Sequence, residues 1–527
     1  MFSNKDGVSG LYRLAASKLT AVILAALLVF WPLAVLAEIP AFPGAEGYGS
    51  TTAGGRGGRH FVITTLAASG PGSLREALEF DGPRIVTFAV GGVIDLGGES
   101  IVVRSPYLTV AGQTAPANGI AIKNAGLVLA THDIIIRGMR FRIGDLPEGS
   151  NPRYRDALQI TDLSCDTDPQ SCTNPPYRII LDHNSISWAI DENVSIWNGA
   201  HDITMSWNMI SEGLNCSLHN NGCHSMGLLL GPESKRISLH HNLFAHNGER
   251  NPLIYNGNSV ELINNLIYDW TVAATIAGGC AYDAPDGARV NAIGNHYIPG
   301  PSTYAYTDDS HTVDRSILIS TCWDTSQVFL QDNLGVRLDH EGAVSDWTLA
   351  KNETYDSIRS DVPVLAPSGI ETTPVEQVAT RVLEGAGALA PSRDLTDQRV
   401  VAQVRAKSGS LIDSQYDVEG WDQYAEATLN VQDTDQDGLP DLWEQQNNLN
   451  AADPADAMLI DEATGYAHLE TYINHLMFNP RSTEGLTDGD ASGNLNDGQI
   501  DPSGGVFGWL MAGLMSFWAW IRSLAPD

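Results

Sequence analysis

The chain has 527 residues, 43% of them hydrophobic, with 63 acidic against 30 basic side chains and a formal net charge of −33. Such a surface repels nucleic acid and anionic membranes, which argues against both as partners, and it suits solubility in a salty extracellular medium. The length accommodates two or three domains, or a single solenoid with additions.

At the N-terminus, Lys5, Arg13 and Lys18 precede the apolar run from Thr20 to Leu33, and Val35-Leu36-Ala37 places small residues where a signal peptidase reads. Residues 1–37 therefore read as a secretory signal peptide, with an uncleaved anchor as the alternative, although the run is short for a spanning helix. From Ala41 to about Pro301 the chain is a succession of short apolar runs, such as Arg84–Val90, Ile101–Val103 and Ile134–Ile136, separated by Gly, Asn and Asp. These are predicted strands with turns between them. Gly54-Gly-Arg-Gly-Gly lacks the Gly-Lys-Ser/Thr ending of a phosphate loop and reads as a tight turn. Residues 72–80 carry a Ser73 cap signal and helical spacing, predicting one short helix over the open N-terminal edge of the solenoid.

Within the strand-rich stretch an asparagine recurs inside β-branched runs, at Asn184, Asn208, Asn242, Asn265 and Asn295, with spacings of 24, 34, 23 and 30 residues. Intervals this irregular do not fit helical repeats. They fit coils of short strands whose loops differ in length, a parallel β-helix in which the asparagines stack as an amide ladder at one corner. The longer intervals supply loops able to build a cleft along the solenoid, suited to a polymer.

Six cysteines in an exported chain suggest disulfides, proposed as Cys165–Cys172, Cys216–Cys223 and Cys280–Cys322 among the fifteen possible connectivities. After about Asp361 the pattern changes to prolines followed by helical spacing over Val375–Glu384 and Asp397–Lys407, read as an extension packing back on the solenoid. Asp433-Thr-Asp435-Gln-Asp437-Gly438-Leu439-Pro-Asp441-Leu-Trp-Glu444 then matches the EF-hand-type calcium loop, with Asp433, Asp435, Asp437, Leu439 (through its carbonyl), Asp441 and Glu444 as candidate ligands. A Gly-, Asp-, Asn- and Ser-rich linker leads to the apolar, tryptophan-rich run Val506–Ile521, which reads either as a sorting or anchoring signal or as a docked amphipathic helix. The sequence boundaries are thus 1–37 signal peptide, 38–365 solenoid, 366–425 extension, 426–478 calcium segment, 479–505 linker and 506–527 tail.

Several motifs together resemble a known family. Phe42-Pro-Gly-Ala-Glu-Gly-Tyr-Gly, Ala111-Gly-Gln-Thr-Ala-Pro, Ile135-Ile-Arg-Gly-Met-Arg-Phe-Arg, Leu181-Asp-His, Asp191-Glu-Asn-Val-Ser and His240-His-Asn-Leu-Phe followed by Arg250-Asn-Pro resemble the pectate lyases of polysaccharide lyase family one, in order over roughly residues 40 to 420. The resemblance implies an all-β, right-handed parallel β-helix, likewise a secreted monomer that cleaves polygalacturonate by β-elimination with Ca2+. The chemistry asks for such a set independently. Removing the proton beside a uronate carboxylate becomes easier when a cation neutralises that carboxylate, and hard calcium accepts a few protein carboxylates together with substrate oxygens.

By the resemblance, Asp156 and Asp191 fall on calcium-ligand positions, while the third carboxylate position is Ser195, a departure that either weakens the site or moves a ligand to neighbouring Glu192, and Ser195 and Glu192 both stay candidate ligands. Arg250 falls on the proton-abstracting arginine. With a free pKa above about 12, an arginine base demands an acidified substrate proton and alkaline conditions. Two family cations are replaced, the second arginine by Tyr255 and the substrate-binding lysine by Asn215, which opens methylated or otherwise modified uronans as substrates. His183, His219, His224 and His241 gather around these motifs, and His183 and His224 are taken as candidate substrate contacts beside Asn215 and Tyr255. The rival functions are a pectin lyase or other uronan lyase and a non-catalytic polysaccharide-binding β-helix. A glycoside hydrolase would need two cleft carboxylates at hydrolytic separation.

Overall fold

The computed structural model describes residues 39–479, apart from 166–170, 280–285, 307–315, 320–324, 337–341, 352–356 and 423. The signal peptide, the linker, the apolar tail and the proposed Cys280–Cys322 bridge lie outside the described residues. The described residues form one compact unit. Among the described residues no helix is long and apolar enough to cross a membrane.

Three sheets of parallel strands build this unit, and along most of the solenoid each takes every third strand, so one coil contributes one strand to each sheet. Among the described residues two strand pairings are antiparallel, Leu334–Val336 with Ala343–Ser345 and Val90–Asp95 with Ala427–Thr428. The sheet that carries the site runs from Ile101–Val103 through Leu127–Leu129, Leu158–Ile160, Glu192–Ile196, Met226–Leu230 and Leu253–Tyr255 to Thr275–Gly279 and beyond. Its register sets Leu158 beside Val194, Ile160 beside Ile196, and Ile196 in turn beside Leu230. Because side chains alternate across a strand, these residues point inward into one continuous apolar core, while Gln159 and Ser195 between them take the other face.

The corner asparagines form the expected ladder. The Asn184 Nδ2 donates to Asn208 Oδ1 at 3.1 Å, and the chain of amides continues through Asn242, Asn265 and Asn295 to Asn333 with bonds of 2.9–3.0 Å. Each Oδ1 also accepts the preceding rung's backbone N–H, so these fully buried amides are satisfied by their neighbours. The residue just before each rung adopts a left-handed backbone, with φ of 51° at His183, 55° at Trp207 and at His241, and 53° at Asn264. That bend turns the chain from one sheet to the next and throws the side chain outward. His183, Trp207 and His241 consequently stack along the corner, with ring centroids 5.9 and 4.4 Å apart.

The helix Leu74–Glu79 is capped by the Ser73 side chain and buries Leu74, Ala77 and Leu78 in the solenoid core. The helices Val375–Gly385 and Leu395–Ala406 bury Val378, Val382, Val400 and Val404 against Met209, Leu243 and Leu266. Buried ion pairs fasten this extension: Arg142 meets Asp394 at 2.9 Å and Asp397 at 2.7 Å. The helix His468–Phe478 packs Leu469, Tyr472, Ile473 and Leu476 on Ile85 and Ala111, which belong to a different sheet from the site.

Candidate active site

Asp156 follows a short 3₁₀ turn, Pro152–Tyr154, that Asn151 caps by accepting from the Arg153 N–H at 3.1 Å. Asp191 stands before the neighbouring strand, and the N–H groups of Ile190 and Asp191 donate to the Arg155 carbonyl at 3.3 and 3.4 Å. Adjacent coils therefore bring Asp156 and Asp191 together, and oxygens of Asp156, Asp191 and Glu192 lie within 4.8 Å of one another. The Glu192 N–H donates to Asp156 Oδ1 at 3.2 Å, and the buried Ser195 hydroxyl donates to Asp156 Oδ2. Ser195 thus supports Asp156, and the third carboxylate of the cluster comes from Glu192. Burial, reinforced by the neighbouring Asp191, pushes the Asp156 carboxyl well above the usual carboxylate range against the opposing effects of Ser195 and Arg250.

Arg250 adopts a left-handed backbone, φ 60°, in the turn before Leu253–Tyr255. An amide cluster holds this turn in place. Asn193 Nδ2 donates to Asn247 Oδ1 at 3.1 Å, Asn247 Nδ2 donates to Asn251 Oδ1 at 3.1 Å, and the Leu228 N–H donates to the Arg250 carbonyl at 2.6 Å. The guanidinium pairs with Glu192, and its buried Nε has no hydrogen-bond partner. Burial lowers the Arg250 pKa from its usual value, opposed by Tyr255, Asp191 and Asp156.

These residues line a groove of about 740 Å³ that also presents Trp197 and Tyr255, whose ring centroids are 6.4 Å apart. His224 Nε2 lies 3.0 Å from Asp191 Oδ1, and His219 stacks on His224 with centroids 3.8 Å apart. The Asn221 N–H donates to His219 Nδ1 at 3.2 Å, which leaves the neutral ring's proton on Nε2, 3.6 Å from Asp191. His219 lies in a loop closed by the Cys216–Cys223 disulfide and His224 directly follows it; Cys165 and Cys172 are likewise bonded.

Two predicted contacts lie elsewhere. His183 occupies the left-handed corner position before Asn184, where its ring pairs with Asp182 at 2.8 Å and stacks on Trp207. Asn215 sits at the foot of the disulfide loop, and its amide donates to Asp413 of the extension at 3.3 Å instead of lining the groove. Sequence reasoning also missed Asn193 and Asn247, whose only signal was an asparagine within each motif. His241, at another left-handed corner, meets Thr373 at 3.1 Å.

The donor set fits a hard cation: it consists of oxygens, it concentrates three carboxylates against one guanidinium, and burial penalises their charge. In the C-terminal loop, ligand atoms of Asp433, Asp435 and Asp437 lie within 4.8 Å of one another, as do those of Asp437, Glu444 and Asp456. Leu439 buries its side chain against Ile85 and Ala111. Asp441 departs from the expected arrangement, since its two oxygens accept from the Thr434 N–H and hydroxyl at 2.7 Å each. Burial and the neighbouring carboxylates push Asp437 up to about 6 and Glu444 up to about 7.

No protein-family profile matches the chain. It is 34% identical over 446 residues to a protein named probable pectate lyase C from Aspergillus flavus, covering 83% of this chain and 94% of that relative. It is 35% identical over 474 residues to a protein of the same name from Neosartorya fischeri, covering 87% and 99%. A crystal structure of a pectate lyase from a Bacillus species in complex with trigalacturonate overlays with a TM-score of 0.46 and 19% identity, covering 65% of this chain and 98% of its own. On the extent and identity of the match to the two fungal relatives, the chain belongs to the pectate lyase family.

Proposed function

We propose that this chain is a pectate lyase that cleaves polygalacturonate by calcium-assisted β-elimination outside the cell. One observation carries the reading: the Asp156, Asp191 and Glu192 carboxylates converge beside the Arg250 guanidinium in a single open groove. Three carboxylates against one guanidinium repel an anionic polymer, so the groove needs a cation before it can hold one.

Asp156, Asp191 and Glu192 would hold calcium, which when bound neutralises the uronate carboxylate and so acidifies the proton beside it. Ser195 and the Glu192 N–H keep the Asp156 carboxylate in place, while His224 orients Asp191 through its 3.0 Å contact. In the elimination, Arg250 takes the proton from C5 of the uronate. The electron pair left behind forms the C4–C5 double bond, and the glycosidic oxygen departs from C4. Burial favours this role by lowering the guanidinium pKa, whereas the Glu192 ion pair favours the charged form, so alkaline conditions are required. Tyr255 and Trp197 give the groove an aromatic wall where fixed charge would select strictly for free acid, which favours tolerance of methyl esters as a second reading.

The test follows absorbance of the unsaturated product with polygalacturonate, methylated pectin and alginate, each with and without chelator. Turnover of polygalacturonate that chelation abolishes and calcium restores is expected. Turnover unchanged in excess chelator removes the calcium mechanism, and products without a double bond remove the lyase reading.

A further inference from the structure

Five carboxylates gather at the C-terminal loop, and the pattern of unpaired atoms among them goes beyond a simple acidic turn. Glu444 is fully buried, yet neither of its carboxylate oxygens has a hydrogen-bond partner among the described residues. Both oxygens of Asp435, Oδ2 of Asp437 and Oδ1 of Asp456 are likewise buried and unpartnered. Leaving one buried charged group unpaired is costly, and leaving four together, all of one sign, is tolerable only with a counter-charge at their centre. Asp456 lies outside the twelve-residue loop, in the 3₁₀ turn Asp456–Met458. Its Oδ2 accepts the Asn450 N–H at 2.8 Å, which aims Oδ1 at Glu444 and Asp437.

We propose that Asp456 completes a calcium site with Asp433, Asp435, Asp437 and Glu444, taking the place that Asp441 vacates, and that this ion clamps the C-terminal segment onto the solenoid. The ligands are hard oxygens on two separate segments, the loop with its following helix Asp441–Gln446 and the Asp456 turn, a set that selects calcium over softer metals. Both segments lead into the surface that docks. Leu439 and Ala457, adjoining the ligands, belong to the same apolar cluster as Leu469, Tyr472, Ile473 and Leu476 on Ile85 and Ala111. The fit is close at Gly438, φ 95°, where an added Cβ would stand 2.2 Å from His60 Cε1. Polar contacts continue it, with Arg56 meeting Glu470 at 3.0 Å and Arg137 donating to Asn474 at 2.9 Å. Drawing the loop and the Asp456 turn together therefore holds the docking face in shape, and removing the ion leaves five carboxylates repelling one another beneath it. This site is independent of the groove and of the lyase reading.

The experiment compares the full chain with Asp456→Asn, Asp441→Asn and the groove variant Asp156→Asn. Calcium binding is measured by calorimetry, thermal stability with and without calcium, and limited proteolysis after residue 425. Asp456→Asn keeps the size and the Asn450 contact of the native side chain. It is expected to weaken one class of site by about tenfold or more, to lose most of the calcium-dependent rise in Tm, and to admit cleavage at low calcium. Asp441→Asn should bind as the wild type does, and Asp156→Asn should lose only the other class. On the unaltered protein, terbium in place of calcium should give emission sensitised through Trp443, next to Glu444, that excess calcium quenches. Wild-type calcium stoichiometry, affinity and Tm rise in Asp456→Asn would overturn the assignment, as would absence of terbium emission from the native chain.

Discussion

Arg250 and Glu192, 58 residues apart in sequence, form an ion pair inside the groove, so the residue proposed to abstract a proton is held by a carboxylate proposed to hold a cation. A cation in the proposed site would compete for that carboxylate and weaken its hold on the guanidinium, which would couple metal loading to the state of the proposed base.

If Arg250 abstracts the proton, Arg250→Lys should lower kcat by roughly 100- to 10,000-fold with little change in KM, because the lost interaction exists only in the transition state. A clamp on a uronate carboxylate would appear instead as a raised KM. Far-ultraviolet circular dichroism should be unchanged, since the guanidinium lies in the groove and not in the core. Wild-type turnover by folded Arg250→Ala would eliminate both roles.

Glu192→Gln separates the two duties of that carboxylate. Removing one charge from the oxygen cluster should raise the calcium concentration for half-maximal activity by about tenfold, with kcat largely recovered at saturating calcium. A kcat that collapses while the calcium requirement stays constant would show that Glu192 serves Arg250 instead.

The corner ladder carries stability. Asn242 accepts from Asn208 and donates to Asn265 and to the Met205 carbonyl, and it is fully buried. Asn242→Ala leaves several backbone and amide groups without partners, each costing about 1–3 kcal/mol. Urea unfolding of the variant should show a midpoint well below wild type. A change under about 0.5 kcal/mol, typical of surface substitutions, would mean that the ladder is ornamental.

Acid should weaken the fold before carboxylates in the usual range titrate. Burial holds the His240 imidazole down to about 4, with Asp182 opposing and His183 assisting, and holds His241 down to about 3, assisted by His240 and by Arg381 of the extension. Both rings stay neutral in the fold, whereas in the unfolded chain they protonate near 6.5. Their contribution is therefore complete above about pH 6.5, falls by as much as about 1.4 kcal/mol per pH unit for each ring, and levels off below the folded values. Denaturant titrations between pH 7.5 and 5 should show this slope in the wild type and a shallower one in His240→Asn. Equal slopes would place the acid sensitivity elsewhere.

The architecture was legible because one residue type at one corner reports each coil from Asn184 onward regardless of the loops between. Asp156, Asp191 and Arg250 were legible through the motifs around them. His183 was misleading for a physical reason: the position before each ladder asparagine is a left-handed bend that turns its side chain outward, so nearness to a rung marks a corner and not the groove. Asn215 finds Asp413, 198 residues away, a contact with no local pattern to announce it. Asp456 was equally silent, because it approaches Asp437 and Glu444 from a later turn through space alone. The stack of His219 on His224 depends on a disulfide loop whose spacing was visible while its fold was not.

The amide corner also acts as a gauge that measures coils and ignores what lies between them. Thirty-four residues separate Asn208 from Asn242 and 23 separate Asn242 from Asn265, yet both steps close with the same 3.0 Å bond. The longer interval contains the disulfide loop with His219 and His224. Segments that face the polymer can therefore lengthen, shorten or be exchanged without altering the pitch of the scaffold, and a change of substrate need not be a change of fold.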